Sequence, residues 1–392
     1  MKTLLQFGAG RIGRSLIGAL FSRAGHEVLF VDTDARLIET LNARGEYLIR
    51  VKDALPPGAP ALLRVRNVRG LAASDTEAVS AAVAEADLIG TAVGAAALPA
   101  LFRVLARGLR RRRQPVSILL CENLRHAARV VREGLRPLLP ADFDFERLVG
   151  LVETSIGKMV PILPPEVSQR DPLEVWAEAY NDIIADRQGI RGEVPEVEGL
   201  VLKSNFAAYG DRKLFIHNLG HAAAAYHGHL AGKETIGECI ADGRIRAETR
   251  AAMGESVWAL AREYPGEFTE AALADHADDL LRRFENRVLG DTVFRVGADL
   301  LRKLGPDDRL VGAMRLVEVH GRRPESIARA VAAALRFKAV GPDGRMLPRD
   351  EAFHRMLEAR GPKATLREVS GLDPEADAEL VDLVLRAYGC GA

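Results

Sequence analysis

The feature that most constrains the fold is a glycine-rich segment between a strand pattern and a helix pattern. The apolar residues 4–7 lead directly into Gly8-Ala9-Gly10-Arg11-Ile12-Gly13, and apolar residues then recur at helical spacing up to Ala24. A strand, a Gly-x-Gly-x-x-Gly turn and a helix in this order are typical of a dinucleotide-binding βαβ unit. The alternative is a glycine-rich turn that binds nothing.

Each glycine has a separate role in such a turn. Gly8 permits the tight bend, Gly10 lets the backbone approach a pyrophosphate, and Gly13 lets the helix lie close to the sheet. The helix N-terminus offers free N–H groups to the phosphates. Asp32 ends the next strand pattern, where a carboxylate binds a ribose 2′-hydroxyl and repels a 2′-phosphate, which favours NAD. Arg36 nearby leaves use of NADP open.

Strand and helix patterns alternate through the first half of the chain, which indicates βαβ units and a parallel sheet. The stretch 173–185 fits either a strand at 173–179 or a helix. From about Ser204 the patterns are mainly helical. We expect an α/β protein with an N-terminal Rossmann-type doubly wound domain at 1–200 and a mostly α-helical substrate and catalytic domain at 201–392. The predicted strands are 4–7, 27–31, 47–51, 88–93, 116–120 and 148–152, and 35–44 is a predicted helix.

Charge and cysteine content exclude several classes of protein. The 54 basic and 54 acidic residues cancel, so no overall field favours nucleic acid or an anionic membrane as a partner. The basic run 110–113 is interpreted as an exposed helix end. Cys121, Cys239 and Cys390 are too few and too scattered for a disulfide framework or a structural zinc site. No apolar run is long enough to span a membrane, so we expect a cytoplasmic protein without a metal.

The segment Thr91-Ala92-Val93-Gly94 ends a predicted strand. Such ends border the ligand crevice of a doubly wound sheet. Thr91, Val93 and Gly94 are therefore candidate cofactor contacts, and an ordinary turn at the end of a strand is an equally good interpretation.

A polar stripe marks the start of the helical half. On an α-helix, Lys213, His217, Asn218 and His221 fall within an arc of ~140°. Such a stripe is either a solvated face or a site. Oxidation of an alcohol without a metal requires a side chain to remove the hydroxyl proton, and a lysine can do this if its pKa is lowered toward ~7–8.

The neighbouring residues fit the same chemistry. Asn218 can donate a hydrogen bond to a developing alkoxide, and His221 can hold a neighbouring substrate hydroxyl. His217 is either a substrate contact or a structural residue.

Lys213, Asn218 and His221 at this spacing resemble the catalytic motif of the polyol-specific long-chain dehydrogenases and reductases. The likeness is greatest to members that act on mannitol 1-phosphate, and it runs nearly end to end. It includes the glycine-rich segment up to Arg14, Thr91 to Gly94, Cys121-Glu122-Asn123, Glu234-Thr235-Ile236, Arg283-Phe284-Glu285-Asn286, Arg302-Lys303-Leu304 and Ser370-Gly371-Leu372-Asp373.

This resemblance implies an NAD-dependent, metal-independent enzyme that interconverts a sugar alcohol or its phosphate and the ketose, as a monomer or small homo-oligomer. It implies that Lys213 is the general base, that Asn218 and Asn123 polarise the reacting oxygen, and that His221 binds substrate. Asn123 also follows the strand 116–120 at a carboxyl end, so it is a candidate cofactor contact. Its alternative role is to cap the following helix.

The chain departs from the family pattern at three positions. Gly157 stands where the family has an Asp that contacts substrate, and Gly290 and Ala298 stand where sugar-phosphate members carry basic residues. The expected substrate pair is D-mannitol 1-phosphate and D-fructose 6-phosphate. Another polyol, polyol phosphate or sugar acid is an alternative, as is a non-catalytic NAD-binding sensor. The positive charge for a phosphate would then come from Lys158, Arg287 or Arg295.

Overall fold

The computed structural model describes residues 1–53, 59–161 and 163–389. The chain forms two compact units, Met1–Gly210 and Asp211–Ala392; the expected division after residue 200 stays a prediction. Among the described residues, no helix is both long enough and apolar enough to cross a membrane. Cys121 and Cys239 are buried free thiols, and Cys390 lies outside the described residues.

Strands form the framework of the first unit. In its described residues they are β1 (Thr3–Phe7), β2 (Glu27–Asp32), β3 (Glu46–Val51), β4 (Leu62–Arg66), β5 (Val68–Ala72), β6 (Leu88–Thr91), β7 (Val116–Leu120), β8 (Val149–Ile156), β9 (Val175–Ala177), β10 (Ile183–Asp186) and β11 (Leu200–Lys203).

The main sheet of the described residues has eight strands in the order β11-β10-β8-β7-β6-β1-β2-β5. From β5 to β8 all neighbouring strands are parallel, whereas β10 runs antiparallel to β8. The chain winds from β1 out to β5 and then returns to continue from β6 to β8 on the other side. The order therefore reverses between β1 and β6, which is the doubly wound arrangement that binds ligands at the carboxyl ends of its strands. The predicted α/β fold class is confirmed.

Both faces of this sheet are buried. Alternate side chains of a strand point to opposite faces, and in β1 Leu4 joins one apolar cluster while Leu5 and Phe7 join another. The same division separates Phe30 from Val31 in β2. Burial on both faces explains why these strands read as continuous apolar runs in the sequence.

Helices of the first unit cover these faces. The predicted helix at 35–44 is observed as Ala35–Arg44, since Asp34 caps its start by accepting from the Leu37 N–H at 3.0 Å and Gly45 ends it with φ +63°. The described helices of this unit are a π-helix at Gly13–Gly18, 3₁₀ turns at Leu98–Leu101, Arg136–Leu138 and Arg187–Gly189, and α-helices at Ala19–Arg23, Ala35–Arg44, Thr76–Glu85, Phe102–Leu109, Ala127–Leu135, Phe145–Leu148 and Pro165–Arg170.

Several strands differ from the sequence-based expectation. The predicted strand at 47–51 pairs with β4 and β9 in a separate three-stranded sheet rather than in the main sheet. The ambiguous stretch 173–185 contains two strands, β9 and β10, and no helix at Ile183–Asp186. The patterns missed β4, β5 and β11; β4 carries exposed residues at Leu62, Arg64 and Arg66, so it lacks the apolar run of a central strand.

The interpretation of residues 110–113 as an exposed helix end is wrong for Arg112, whereas the other three arginines are exposed. Arg112 is only 7% exposed. Its guanidinium donates to the carbonyl oxygens of Val83, Ala84 and Ala86 at 2.8, 3.0 and 2.9 Å. These carbonyls end the helix Thr76–Glu85, and a buried helix end needs such donors because its last carbonyls lack partners inside the helix.

The second unit is helical in its described residues, as predicted. Its elements are a π-helix at Lys213–Asn218, a 3₁₀ turn at Arg287–Leu289, and α-helices at Leu219–Leu230, Ile236–Ala241, Gly243–Glu263, Glu270–Phe284, Val293–Gly297, Leu300–Lys303, Val311–Val319, Glu325–Leu335, Pro348–Ser370 and Ala378–Gly389. A further helix, Phe206–Arg212, spans the division between the units.

The helix Leu219–Leu230 lies at the centre of the second unit because its small residues allow close packing. The four alanines at 222–225 have no exposed surface. A Cβ on Gly220 would lie 2.5 Å from the sulfur of Met253, and one on Gly228 would lie 2.1 Å from the sulfur of Cys239. This helix begins directly after the polar segment Lys213–Asn218, so it gives that segment a fixed base.

Candidate active site

The glycine-rich segment adopts the tight turn that its sequence predicts. Gly8 has φ +90°, and a Cβ there would lie 2.4 Å from the carbonyl oxygen of Ala92. A Cβ on Gly13 would lie 2.0 Å from the carbonyl oxygen of Gly8. Gly10 is exposed with no atom near its Cβ position. Two glycines are thus required by packing, and the third leaves open space where a phosphate can approach the backbone.

The helix after this turn begins as a π-helix, Gly13–Gly18, where an α-helix was expected. Bonding to the fifth rather than the fourth preceding residue turns the chain less per residue, and such segments occur often at functional sites. Arg14 lies buried beneath the turn, where its guanidinium donates to the carbonyl oxygens of Ala9 and Pro172 at 2.7 and 2.8 Å. Arg11 is exposed and donates to the carbonyl of Val160, and Ile12 is half-buried.

Asp32 lies where β2 ends, as predicted, and its carboxylate also holds the turn. One oxygen accepts from the Ala9 N–H at 2.7 Å and the other from the Asp34 N–H at 3.0 Å. Each carboxylate oxygen can accept a second hydrogen bond. Asp32 can therefore bind ribose hydroxyls while it orients the glycine turn, so these residues fit an NAD molecule. Arg36 is directed elsewhere, because its guanidinium donates to the Gln169 carbonyl at 2.6 Å.

The turn after β6 is bound by Glu122, a residue after β7 to which the sequence analysis gave no role. The N–H groups of Val93 and Gly94 donate to the two carboxylate oxygens of Glu122, at 3.0 and 2.7 Å. Glu122 is 7% exposed, and Thr91 is fully buried. Since the two backbone donors already have an anion, Val93 and Gly94 cannot give these hydrogens to a cofactor phosphate in this arrangement. The sequence feature that could have identified Glu122 is its position directly before Asn123.

Asn123 is an exposed residue four positions before the first residue of the next helix. That helix, Ala127–Leu135, has His126 as its N-cap residue. The backbone N–H of Ala128, in the first turn of this helix, donates to the Glu153 carboxylate at 3.1 Å. Asn123 is therefore not the N-cap of this helix, and its assignment to cofactor and substrate stays a prediction.

Lys158 does not lie in a solvated position suited to a phosphate. It is 8% exposed, and its ammonium donates to the carbonyl oxygens of Glu178 and Tyr180 and to the side-chain oxygen of Asn181, at 2.9, 2.6 and 2.7 Å. An ammonium has three donors, and all three are used inside the first unit. Gly157 before it is half-buried.

In the second unit, Lys213 and Asn218 are the first and last residues of the π-helix Lys213–Asn218. The expected arc of ~140° assumed α-helical turns, so that angular estimate is wrong for this segment. Burial, and secondarily the positive charge of Arg309, lower the pKa of Lys213 from the 10.5 of an ordinary lysine to about 8. A lysine of this kind carries a substantial neutral fraction near physiological pH, as a general base requires.

Arg309 and Lys303 are further members of this polar cluster that sequence reasoning did not assign. Lys303 is 5% exposed, and its ammonium donates to the Val296 carbonyl. Burial, followed by Arg309 and Arg302, lowers the pKa of Lys303 to about 7. Arg309 is 8% exposed and pairs with Asp308 at 2.8 Å. The only sequence signal was Lys303 within the family-like segment 302–304.

His221 is half-buried and lies against an aromatic ring and a carboxylate. Its ring stacks on Phe284 with centroids 4.7 Å apart and an angle of 11°. Its Nε2 lies 3.3 Å from an oxygen of Asp291. Burial lowers the pKa of His221, which keeps the ring neutral. His217 is 7% exposed, and burial, then Arg283, holds its pKa well below the ordinary value.

The remaining basic candidates occupy different surroundings. Arg295 pairs with Asp291, four residues earlier and just before the helix Val293–Gly297, and Asp291 in turn lies beside His221. Arg287 is exposed, with its Cγ 2.9 Å from the Cβ position of Gly237. Gly290 has φ +63°, a conformation that a basic residue would adopt only with strain.

Among the described residues, no three His, Cys, Asp or Glu side chains come together in a way that could hold a metal ion.

Comparison with known proteins gives a consistent assignment. The family model for the mannitol dehydrogenase Rossmann domain matches residues 2–199, and that for the mannitol dehydrogenase C-terminal domain matches residues 205–388. The chain is 36% identical over 388 residues to mannitol-1-phosphate 5-dehydrogenase from Shouchella clausii (strain KSM-K16), covering 97% of this chain and 99% of that protein.

Two solved structures share the fold at low identity. A D-sorbitol dehydrogenase in substrate-free form has a TM-score of 0.78 at 17% identity, over 98% of this chain and 92% of that one. The mannitol 2-dehydrogenase of Pseudomonas fluorescens, in complex with NAD and D-mannitol, has a TM-score of 0.74 at 18% identity, over 99% and 91% of the two chains.

These matches confirm the family resemblance and, at the level of the family, the predicted class of NAD-dependent polyol dehydrogenase. Because the two domain models together cover nearly the whole sequence, the chain belongs to the mannitol dehydrogenase family.

Proposed function

We propose that this protein interconverts D-mannitol 1-phosphate and D-fructose 6-phosphate with NAD, without a metal, and with Lys213 as the general base. The observation that carries the proposal is the half-buried Lys213, whose amine has a pKa lowered to about 8, within reach of neutral pH. The choice of substrate follows the relative that is 36% identical over 97% of the chain. The expected cytoplasmic location belongs to the same proposal.

The glycine turn and Asp32 are the residues that would hold NAD. The space above Gly10 admits the pyrophosphate, and the free acceptor positions of Asp32 suit ribose hydroxyls. A 2′-phosphate would meet the negative charge of Asp32, and Arg36 is directed toward a backbone carbonyl. When bound, NAD supplies an acceptor for the hydride that leaves the alcohol carbon.

Lys213 removes the proton of the reacting hydroxyl in the oxidative direction and returns it in reduction. Oxidation therefore requires the neutral amine of Lys213, and reduction requires its ammonium form. Arg309 disfavours the ammonium by its charge, so it keeps the base partly neutral. Asn218, at the other end of the same π-helix, is assigned to donate to the developing alkoxide, and His221 is assigned to a neighbouring hydroxyl. The role of Asn123 at the reacting oxygen rests on the family resemblance.

The assignment of a phosphorylated substrate requires a cation that can bind the phosphate group. Of the three candidate cations, Lys158 uses all its donors internally, and Arg295 is already paired with Asp291. Arg287 is exposed and Arg295 retains other donors, so these two are the preferred phosphate ligands.

A second candidate is a dehydrogenase for an unphosphorylated polyol or a sugar acid. It is favoured by Gly290, whose positive φ disfavours a basic residue, and by Ala298, which is 5% exposed and leaves no outlet for a long charged side chain. A non-catalytic NAD-binding sensor is the remaining alternative, and the lowered pKa of Lys213 opposes it, since a sensor has no need of a base.

The deciding experiment follows NADH absorbance with a matched panel of fructose, fructose 6-phosphate, other ketoses and ketose phosphates. We expect kcat/KM for fructose 6-phosphate to exceed that for fructose by about a hundredfold or more, since a bidentate arginine contact to phosphate is strong. Preference for an unphosphorylated ketose would support the second candidate. Absence of turnover with every member, together with NADH binding, would support the sensor.

A further inference from the structure

We infer that Asp291 is a positioning residue that fixes His221 as the tautomer with hydrogen on Nε2, so that Nδ1 accepts a hydrogen bond from a substrate hydroxyl. The contact with substrate rests on the proposed function, whereas the tautomer is a property of the protein alone. The consequence is that His221 selects substrates that carry a hydroxyl donor at the position it faces.

The contact between the two side chains is enclosed. Nε2 of His221 is buried and has no aligned hydrogen-bond partner among the described residues, but Oδ2 of Asp291 lies only 3.3 Å away. The side chains are 16% and 12% exposed, respectively. A ring nitrogen shielded from water and facing a carboxylate is stabilised when it carries the hydrogen, because a lone pair there would repel the anion. The two atoms are close but poorly aligned for a hydrogen bond, and catalytic hydrogen bonds that are long or poorly aligned in an unliganded protein often tighten when substrate binds.

Asp291 is held in place from several directions. Its other carboxylate oxygen pairs with Arg295, and its backbone carbonyl accepts from the Ile236 N–H at 2.8 Å. The next residue, Thr292, caps the helix Val293–Gly297 by accepting from the Arg295 N–H at 3.2 Å. The carboxylate is therefore fixed before any ligand binds.

The ring itself has little freedom to turn away. It stacks on Phe284 at 11° and lies edge-on to His217, with centroids 6.2 Å apart. Burial disfavours a charged ring most strongly, Asp291 opposes this effect, and Arg295 and Lys303 add to it, so that on balance the pKa of His221 is lowered. His221 thus carries a single N–H, and with that hydrogen on Nε2 the Nδ1 atom has a lone pair to offer.

A neutral ring with hydrogen on Nε2 then predicts a hydrogen bond in which the substrate hydroxyl is the donor and Nδ1 of His221 is the acceptor. A polyol hydroxyl donates to Nδ1 and is left with its oxygen lone pairs for other donors. A fluorine in place of that hydroxyl cannot donate, so it would lose this contact. With hydrogen on Nδ1 instead, the ring would favour an acceptor, and a fluorinated or keto analogue would be tolerated better.

The primary test is ¹⁵N NMR of the ring nitrogens of His221 in the substrate-free protein, assigned with His221→Gln. We expect the signature of a neutral ring with hydrogen on Nε2. The reverse tautomer in the unaltered protein would overturn the inference without any further variant. In Asp291→Asn the amide nitrogen can face Nε2, so we expect a mixture of tautomers or a reversal. The matched control Asp275→Asn, an exposed aspartate on the helix Glu270–Phe284, should leave the ¹⁵N signature unchanged.

Kinetics separate this inference from the proposed function. In Asp291→Asn, KM for the best ketose of the panel should rise about tenfold with a smaller change in kcat, as loss of one oriented hydrogen bond would produce. An unchanged tautomer in Asp291→Asn contradicts the inference whatever the activity. If no ketose is turned over but the tautomer depends on Asp291, the proposed function fails and the positioning role stands.

Discussion

The pH dependence of turnover reports directly on the environment of Lys213. With a pKa of about 8, about a tenth of Lys213 is neutral at pH 7; with the ordinary value of 10.5 the neutral fraction would be about one in 3,000. The surroundings therefore increase the amount of active base by about 300-fold. Polyol oxidation, which needs neutral amine, should rise with pH and level off above about 8, whereas ketose reduction, which needs ammonium, should fall over the same range.

The perturbation that tests the cause is Arg309→Gln. Arg309 is, after burial, the second cause of the lowered pKa of Lys213. Its loss should therefore move the inflection of the pH profile above 8, but not as far as 10.5. If the pKa rises to about 9, the neutral fraction at pH 8 falls from about a half to about a tenth, and oxidation slows about fivefold there. The assay is initial NADH production in the oxidative direction across the pH range, with the melting temperature measured alongside.

Arg302→Gln is the matched control, because Arg302 lowers the pKa of Lys303 but is not among the groups that act on Lys213. In the pH profile of Arg302→Gln, the inflection near 8 should stay in place, and any shift should be confined to an inflection near 7 that belongs to Lys303. An unshifted inflection near 8 in a folded Arg309→Gln protein would refute the electrostatic reasoning.

Three further predictions concern the cofactor side and the absence of a metal from the reaction. Asp32→Ala should weaken NAD binding and reduce the preference over NADP, measured by cofactor titration; an unchanged preference would mean that Asp32 does not contact the ribose. Glu122→Gln should lower kcat/KM about tenfold, since one of its two backbone donors loses an acceptor, whereas Glu133→Gln on the exposed surface should behave as wild type. Treatment with a chelator should leave turnover unchanged, and a reversible loss restored by a divalent cation would contradict a lysine base.

The parallel part of the fold was predictable because its strands are buried on both faces. Continuous apolar runs such as Val116–Leu120 stand out, and the glycine turn fixes the order of the first strand and helix. The small sheet was harder to predict. β3 shows a strand pattern, but its partner β4 is partly exposed and β9 is short. The pairing of β3 with β9 also joins residues more than 100 positions apart.

The candidate site was predictable in its residue types and less so in its geometry. The spacing of Lys213, Asn218 and His221 identifies a polar stripe, but sequence patterns do not distinguish a π-helix from an α-helix over six residues.

Contributions from distant segments were not visible in the sequence. Arg309 acts on Lys213 from almost a hundred residues away, and Asp291 faces His221 from seventy. Glu122 was missed for a related reason, since its backbone partners at Val93 and Gly94 belong to another strand end. Each of these contacts depends on tertiary structure.

The most direct test of the central claim is the single-turnover rate of NADH oxidation by fructose 6-phosphate, or by the best ketose of the panel, in Lys213→Ala. We expect a loss of about 1,000-fold, within the range for removal of a general acid–base group, with NADH affinity measured by fluorescence nearly unchanged. Lys338→Ala, an exposed lysine of the same unit, should retain the wild-type rate. A Lys213→Ala protein that keeps most of its turnover would contradict the account.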